Sequence, residues 1–255
     1  MAGYKDFSFF YDELMQNADY EKRFDYLLSL LAENGIGEGI LLDMACGTGT
    51  LSLMFSKKGF EVVGVDASEE MLSVAEEKKL EKNSDALFLC QKMEELDLFG
   101  TIDAAVCTLD SLNHVTDEKV LREIFRRVAL FMNDGGIFLF DVNTLFKHRS
   151  VLGDNTFILE TENVFCSWQN TLCEDGESTL VELDIFEEDS EEEGVYVRTH
   201  EEFFERGYEL SFLQKILEEF RFEVLGIFDD LTKEHVRENS ERAVFLCKKH
   251  GTQFV

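Results

Sequence analysis

The chain has 255 residues, a 45% hydrophobic share and 53 acidic against 24 basic residues, for a formal net charge of −29. The length predicts one large domain, or one domain with a small appendage, around a real apolar core. A surface this acidic repels phosphate backbones and anionic lipid, which argues against nucleic acid and membrane as partners.

No apolar run approaches the roughly 20 residues of a membrane span. No basic stretch followed by an apolar one opens the chain, so no secretory leader is expected. The six cysteines, Cys46, Cys90, Cys107, Cys166, Cys173 and Cys247, form no C-x-x-C pair. Free thiols in a cytoplasmic protein are the expectation. No His/Cys spacing suggests a metal. Proline is absent, which removes cis-proline turns from the fold.

An aromatic segment over 4–14 leads into a helix with Tyr20, Phe24, Leu27, Leu28 and Leu31 at helical spacing, ended by Asn34-Gly35. Strands over 40–44, 61–65, 86–90, 102–108 and 137–142 then alternate with helices. Ser68 and Thr116 are the expected caps of two of those helices, and Asn133-Asp134-Gly135-Gly136 reads as a turn. Five such units in a row predict an α/β fold, a doubly wound and mostly parallel sheet with helices on both faces. Ligands bind beyond the carboxyl ends of such strands, where strand order reverses. The glycine turn after the first strand places that reversal beside it.

The pattern changes near 146. Between 157 and 204 no helical period remains, and Val181, Leu183 and Ile185 alternate with Glu182 and Asp184. This predicts a three-stranded antiparallel insertion over 146–206 with one polar face, a lid over the substrate. Residues 1–145 and 207–255 make the main domain. It closes with a helix over 208–220 and an antiparallel strand pair over 222–228 and 243–248 at the sheet edge.

The first strand ends in Asp43-Met44-Ala45-Cys46-Gly47-Thr48-Gly49. Glycines at such a turn let the backbone approach a ligand at a helix start. Asp66, at the end of the second strand, suits a bidentate hydrogen bond to ribose hydroxyls. A dinucleotide fingerprint needs a third glycine, and Ser52 stands in its place. A ligand with an ammonium and no phosphate, held near Asp43, fits better, which favours S-adenosylmethionine over NAD. Cys46 reads as a small filler.

L-D-M-A-C-G-T-G-T at 42–50 resembles motif I of class I S-adenosylmethionine-dependent methyltransferases, and V-V-G-V-D-A-S-E-E-M-L-S-V-A at 62–75 resembles their second-strand motif. The runs at 102–115, 133–144 and 241–249 resemble the fourth-strand, fifth-strand and closing motifs. The likeness covers nearly the whole chain and is nearest to a bacterial small-molecule-type subgroup with an antiparallel insertion after the fifth strand. It implies a Rossmann-like, seven-stranded sheet with an antiparallel last strand.

The resemblance also implies a set of cofactor contacts. Ala45, Gly47 and Gly49 line the methionine portion, with Asp43 near its ammonium and Tyr11 over its carboxylate. Asp66 holds the ribose, Ala67 and Met71 flank the adenine, and Lys92 and Met93 sit at its edge, Lys92 where the family has an acid. Leu109 meets the cofactor at the fourth strand. Asp110, His114 and His200, in that order, are the candidate bases, with Asn113 beside the first two. The expected function is methyl transfer to a small-molecule acceptor. The alternatives are an NAD-dependent oxidoreductase or a non-catalytic cofactor-binding protein. No residue pattern sets an oligomeric state.

Overall fold

The computed structural model of the chain describes residues 19–161, 164–188 and 194–251. The aromatic segment over 4–14, Tyr11 included, lies outside them. Helix α1 (Tyr20–Glu33) buries Tyr26, Leu27, Leu30 and Leu31 along one stripe. Gly35 then takes a φ of +85°, and the Ile36 N–H returns to the Leu31 carbonyl at 2.9 Å.

Next come β1 (Ile40–Met44), α2 (Thr50–Lys58), β2 (Glu61–Asp66), α3 (Glu69–Lys82), β3 (Leu87–Cys90), β4 (Ile102–Cys107), α4 (Glu118–Phe131) and β5 (Met132–Asn143). The insertion holds β6 (Thr156–Glu160), β7 (Val164–Leu172), β8 (Ser178–Glu188) and β9 (Tyr196–Arg206). Helix α5 (Leu210–Glu219), β10 (Phe222–Asp229) and β11 (Arg242–Lys249) follow.

The main sheet has seven strands in the order β10-β11-β5-β4-β1-β2-β3. Strand β11 runs antiparallel to both β5 and β10, and the other pairings are parallel. Order reverses at β1, which has β2 on one side and β4 on the other, so a crevice opens beyond the carboxyl ends of β1 and β4. Alternate residues of each strand feed opposite layers. Leu42, Val65, Ala105, Phe138 and Phe140 pack under α4 and α5, whereas Leu41, Val62, Ala104 and Leu139 pack under α1, α2 and α3.

Three local expectations change. Helix α4 is capped by Asp117, whose side chain accepts from the Lys119 N–H at 2.7 Å, not by Thr116. The 133–136 turn lies inside β5 as an irregularity, where pairing with β4 shifts between Ile102 and Ala104. The insertion has four strands, in the order β6-β7-β8-β9, not three. The extra hairpin escaped the sequence reading because no glycine or proline marks its turn. Thr161 closes it instead, its N–H donating to the Val164 carbonyl at 2.9 Å and its Oγ1 accepting from the Val164 N–H at 3.1 Å.

The inner face of the insertion carries Val164, Cys166, Val181, Leu183 and Ile185, which pack with Met71 of α3. A buried polar knot ties its base to the main sheet. Asn113 donates to the carbonyls of Asn143 (3.1 Å) and Arg206 (2.8 Å), and accepts from the Asn143 N–H at 2.8 Å. His148 Nδ1 pairs with Thr179 Oγ1 at 3.0 Å, and burial pushes that imidazole down to about 4, so it stays neutral.

Candidate functional site

The chain leaves β1 through a turn in which Ala45, Gly47 and Gly49 all have positive φ, +52°, +53° and +74°. Such a conformation costs a non-glycine residue on the order of 1–3 kcal/mol, so Ala45 is held there by its surroundings. The Cys46 N–H donates to the Val65 carbonyl at 3.0 Å and the Gly49 N–H to the Cys46 carbonyl at 2.9 Å. The two glycines serve different ends. A Cβ on Gly49 would meet the Phe88 ring at 2.8 Å and Ala75 at 3.0 Å, so this position is glycine for packing. A Cβ on Gly47 would meet nothing within 4 Å, so the backbone there faces open space.

Two carboxylates frame the turn. Asp66 accepts from the Gly47 N–H at 2.8 Å and from the Ser68 N–H at 2.9 Å, which joins the ends of β1 and β2. Burial raises its carboxyl above the ordinary range, with these amides opposing the rise. Asp43 is 2% exposed and accepts from Ser52 Oγ at 2.5 Å. Burial pushes its carboxyl up to about 7, opposed by that hydroxyl and reinforced by Asp66. Ser52, at the position of the missing third glycine, is therefore the hydrogen-bond partner of the acid before the turn. Tyr20, Asp43, Ala45, Gly47, Thr108 and Leu109 line a pocket between the ends of β1 and β4.

Leu109 and Asp110, just past β4, both take positive φ, +57° and +54°. Asp141 of β5 holds them there, its carboxylate accepting from their amides at 3.0 and 2.8 Å. Arg23 bridges Asp141 at 3.1 Å, and Arg242 bridges it from β11. Arg242 also reaches Asp110 at 2.6 Å, while Asn143 donates to the other Asp110 oxygen at 2.9 Å. Burial alone would raise the Asp110 carboxyl. The Arg242 and Lys147 charges outweigh it and hold the group well below the usual carboxylate range. Asp110 is thus an ionised, occupied carboxylate and a weak base.

His114 lies one short helical turn further on, in Ser111–His114, with its side chain 21% exposed. Its ring packs on Phe203 of β9, centroids 5.0 Å apart, and its Nε2 stands 3.8 Å from Glu205 Oε1. Burial lowers its pKa, with Asp110 opposing. His200 is not brought to this group. Side chains alternate along a strand, so Glu201, Phe203 and Glu205 face inward while His200 and Glu202 face out. There His200 Nδ1 pairs with Asp184 at 2.9 Å on the exposed face.

Of the remaining predicted positions, Ala67 and Lys92 are exposed at the ends of β2 and β3. Met93 is buried, its thioether 3.9 Å from Cys107 Sγ. Met71 begins α3 under the insertion. Cys46 is a filler as expected, its thiol pushed well up by burial and its sulfur against Gly64. The sequence reading missed Ser52, Asp141, Lys147, Glu205 and Arg242. Asp141 and Arg242 lie in the motif runs but are brought together only by β5–β11 pairing. Glu205 had one faint signal, an acid two residues from a phenylalanine on a strand. Its inward direction depends on the β8–β9 register, in which Thr179 faces Glu205.

A family model described as a methyltransferase domain matches residues 41–136. YqeM of Bacillus subtilis (strain 168), whose methyltransferase name is itself provisional, is 34% identical over 98% of both chains. A glycine/sarcosine N-methyltransferase of Parasynechococcus marenigrum (strain WH8102) is 27% identical over 96% of this chain and 83% of the relative. A crystal structure of an S-adenosylmethionine-dependent methyltransferase from Clostridium acetobutylicum ATCC 824 superposes with a TM-score of 0.88. It is 31% identical over 97% of this chain and 99% of that one.

Proposed function

This chain belongs to the class I S-adenosylmethionine-dependent methyltransferases, and from that premise we propose that it methylates a small molecule held between the β1–β4 crevice and the inner face of the insertion. The observation that carries this is the covered site. A four-stranded sheet is tied through its Arg206 carbonyl to Asn113, just past β4, and sets Phe203 of β9 against His114, which supports its reading as a cover over the carboxyl ends of the parallel strands. Such a cover suits a compact acceptor better than a polymer, and a net charge of −29 opposes a nucleic acid. The glycine/sarcosine relative, which acts on a small molecule by name, supports the same reading. All six cysteines are free, which agrees with a reducing cytoplasm. No helix among the described residues is long and apolar enough to cross a membrane.

The residues present fit the cofactor. Gly47 presents an open backbone, Asp43 offers a buried acid for an ammonium, and Asp66 keeps a carboxylate at the second strand end. When bound, S-adenosylmethionine supplies a methyl group on a positively charged sulfur. In this reading Ala45, Gly47 and Gly49 seat the methionine portion and Asp66 the ribose. Ala67, Met71, Lys92 and Met93 surround the adenine. Leu109, fixed by Asp141, borders the reacting end. The protein then contributes alignment and exclusion of water, which together can lower a barrier by about 7–11 kcal/mol. His114 faces the acceptor, whereas Asp110 orients the loop.

The test is to incubate the chain with methyl-labelled S-adenosylmethionine and, separately, a deproteinised bacterial small-molecule extract, total RNA and total protein. Label is expected in the small molecules. Label confined to RNA or protein would overturn the reading.

A further inference from the structure

We propose that the Glu205 carboxyl, on the inner face of the insertion beside His114, is the counter-ion and proton acceptor for a protonated amine, so that the methyl acceptor of this chain is a primary or secondary amine. The inference rests on the small-molecule reading above and names the acceptor's chemistry.

Glu205 is 3% exposed, and its Oε2 has no hydrogen-bond partner among the described residues. A buried carboxyl oxygen without a partner is costly to the fold and rare. Its other oxygen stands 3.8 Å from His114 Nε2, beyond hydrogen-bond distance. The charged and titratable groups that face it are Asp110 and His114 from the loop after β4, Lys147 from the turn after β5, and Arg242 from β11. Glu201 lies four residues earlier on the same strand face. Arg242 is committed to Asp110 and Asp141. Lys147 donates to Asn143 Oδ1 at 3.0 Å. None of these cations is bridged to Glu205, and burial, reinforced by Asp110, pushes its carboxyl up to about 8. The group is therefore neutral in the acceptor-free protein at neutral pH and ready to ionise when a cation arrives.

An ammonium meets both needs of this site. It brings the positive charge that a buried carboxylate lacks, and it must lose a proton before its nitrogen can attack. Binding of the ammonium first releases the Glu205 proton to solvent. One N–H bond then breaks, an O–H bond re-forms on the Glu205 carboxylate, and the nitrogen keeps the electron pair that makes the new N–C bond as the methyl–sulfur bond breaks and its electrons stay on sulfur. A carboxyl raised by burial accepts a proton more readily than an exposed carboxylate, which favours the transfer. A neutral hydroxyl acceptor brings no charge to the open oxygen.

The experiment uses the full chain, methyl-labelled S-adenosylmethionine and the small-molecule extract, with and without prior acetylation of its amines. Label retained on a cation exchanger, and abolished by acetylation, is expected. Label that survives acetylation overturns the amine class while leaving the small-molecule reading intact. No label in either extract removes both. Glu205→Gln should lower kcat/KM for the labelled acceptor on the order of 10²- to 10⁴-fold. S-adenosylhomocysteine affinity should not change, which shows that the variant is folded, and Glu205→Asp should restore part of the rate. The wild-type kcat/KM should rise with pH through about 8, a limb missing in Glu205→Gln. An unchanged rate and pH profile in Glu205→Gln would sink the proposal.

Discussion

Asp43 and Asp66 stand at opposite ends of the same turn and respond differently to change. Asp66 accepts two backbone amides at the end of β2. Asp66→Ala should cost about 1–3 kcal/mol of cofactor affinity, the usual worth of a charged hydrogen bond. Titration calorimetry with S-adenosylhomocysteine measures this, and unchanged affinity removes Asp66 from the site. Asp43, pushed up to about 7, is close to half protonated at neutral pH. An ammonium pairs with the ionised form only. S-adenosylhomocysteine affinity should therefore fall below pH 7, by up to about tenfold per pH unit, and Asp43→Asn should remove that dependence. A pH-independent affinity between 5.5 and 8 would show that the ammonium does not meet Asp43.

At the scale of elements, the insertion, the proposed cover, is held to the main domain by two kinds of contact. One is apolar, Met71 against Val164, Val181 and Ile185. The other is polar, Asn113 against the Arg206 carbonyl and His148, and Arg206 against Glu118 of α4. The proposed cofactor residues lie at or just after the ends of β1, β2, β3 and β4, whereas Glu205 and Phe203 belong to β9 of the insertion. Replacing residues 146–206 by a short linker should abolish methyl transfer and leave S-adenosylhomocysteine binding measurable. Equal loss of both would mean that the sheet supports the cofactor site instead. The hairpin of β6 and β7 shows what an element hides from its sequence. Its turn is closed by a threonine hydroxyl and a backbone bond, and no glycine or proline betrays it.

At the scale of the whole molecule, protonation couples the site to stability. Asp43 and Glu205 keep their protons in the folded protein up to about 7 and 8, while in the unfolded chain they titrate near 4. Between those limits the folded state binds more protons, so stability is full at the acid end and falls as pH rises. Each group contributes up to about 1.4 kcal/mol per pH unit. Asp110 acts in the opposite sense, because its stabilisation by Arg242 is lost as pH drops through and below the ordinary carboxylate range. The net charge of −29 adds repulsion on the alkaline side. Denaturant unfolding should therefore give higher stability at pH 6.5 than at pH 8, above the range in which buried His148 acts in the opposite sense, with the slope reduced in Glu205→Gln. A rise in stability over that interval would contradict the buried, protonated state of both acids.

The parallel sheet, the reversal of strand order beside β1 and the glycine turn were legible in the chain because their signals are local. Apolar runs, caps, glycines and an acid at each of the first two strand ends recur within short stretches, and backbone sterics convert them directly into shape. The acceptor side was not legible. Asp110 looked like a base until Arg242, 132 positions away, was found against it. His200 looked available until the strand period turned it outward. Glu205 did not stand out in the sequence, because only the β8–β9 register sets its inward direction. Charge state and direction there depend on partners distant in sequence, and only the tertiary structure brings those partners together.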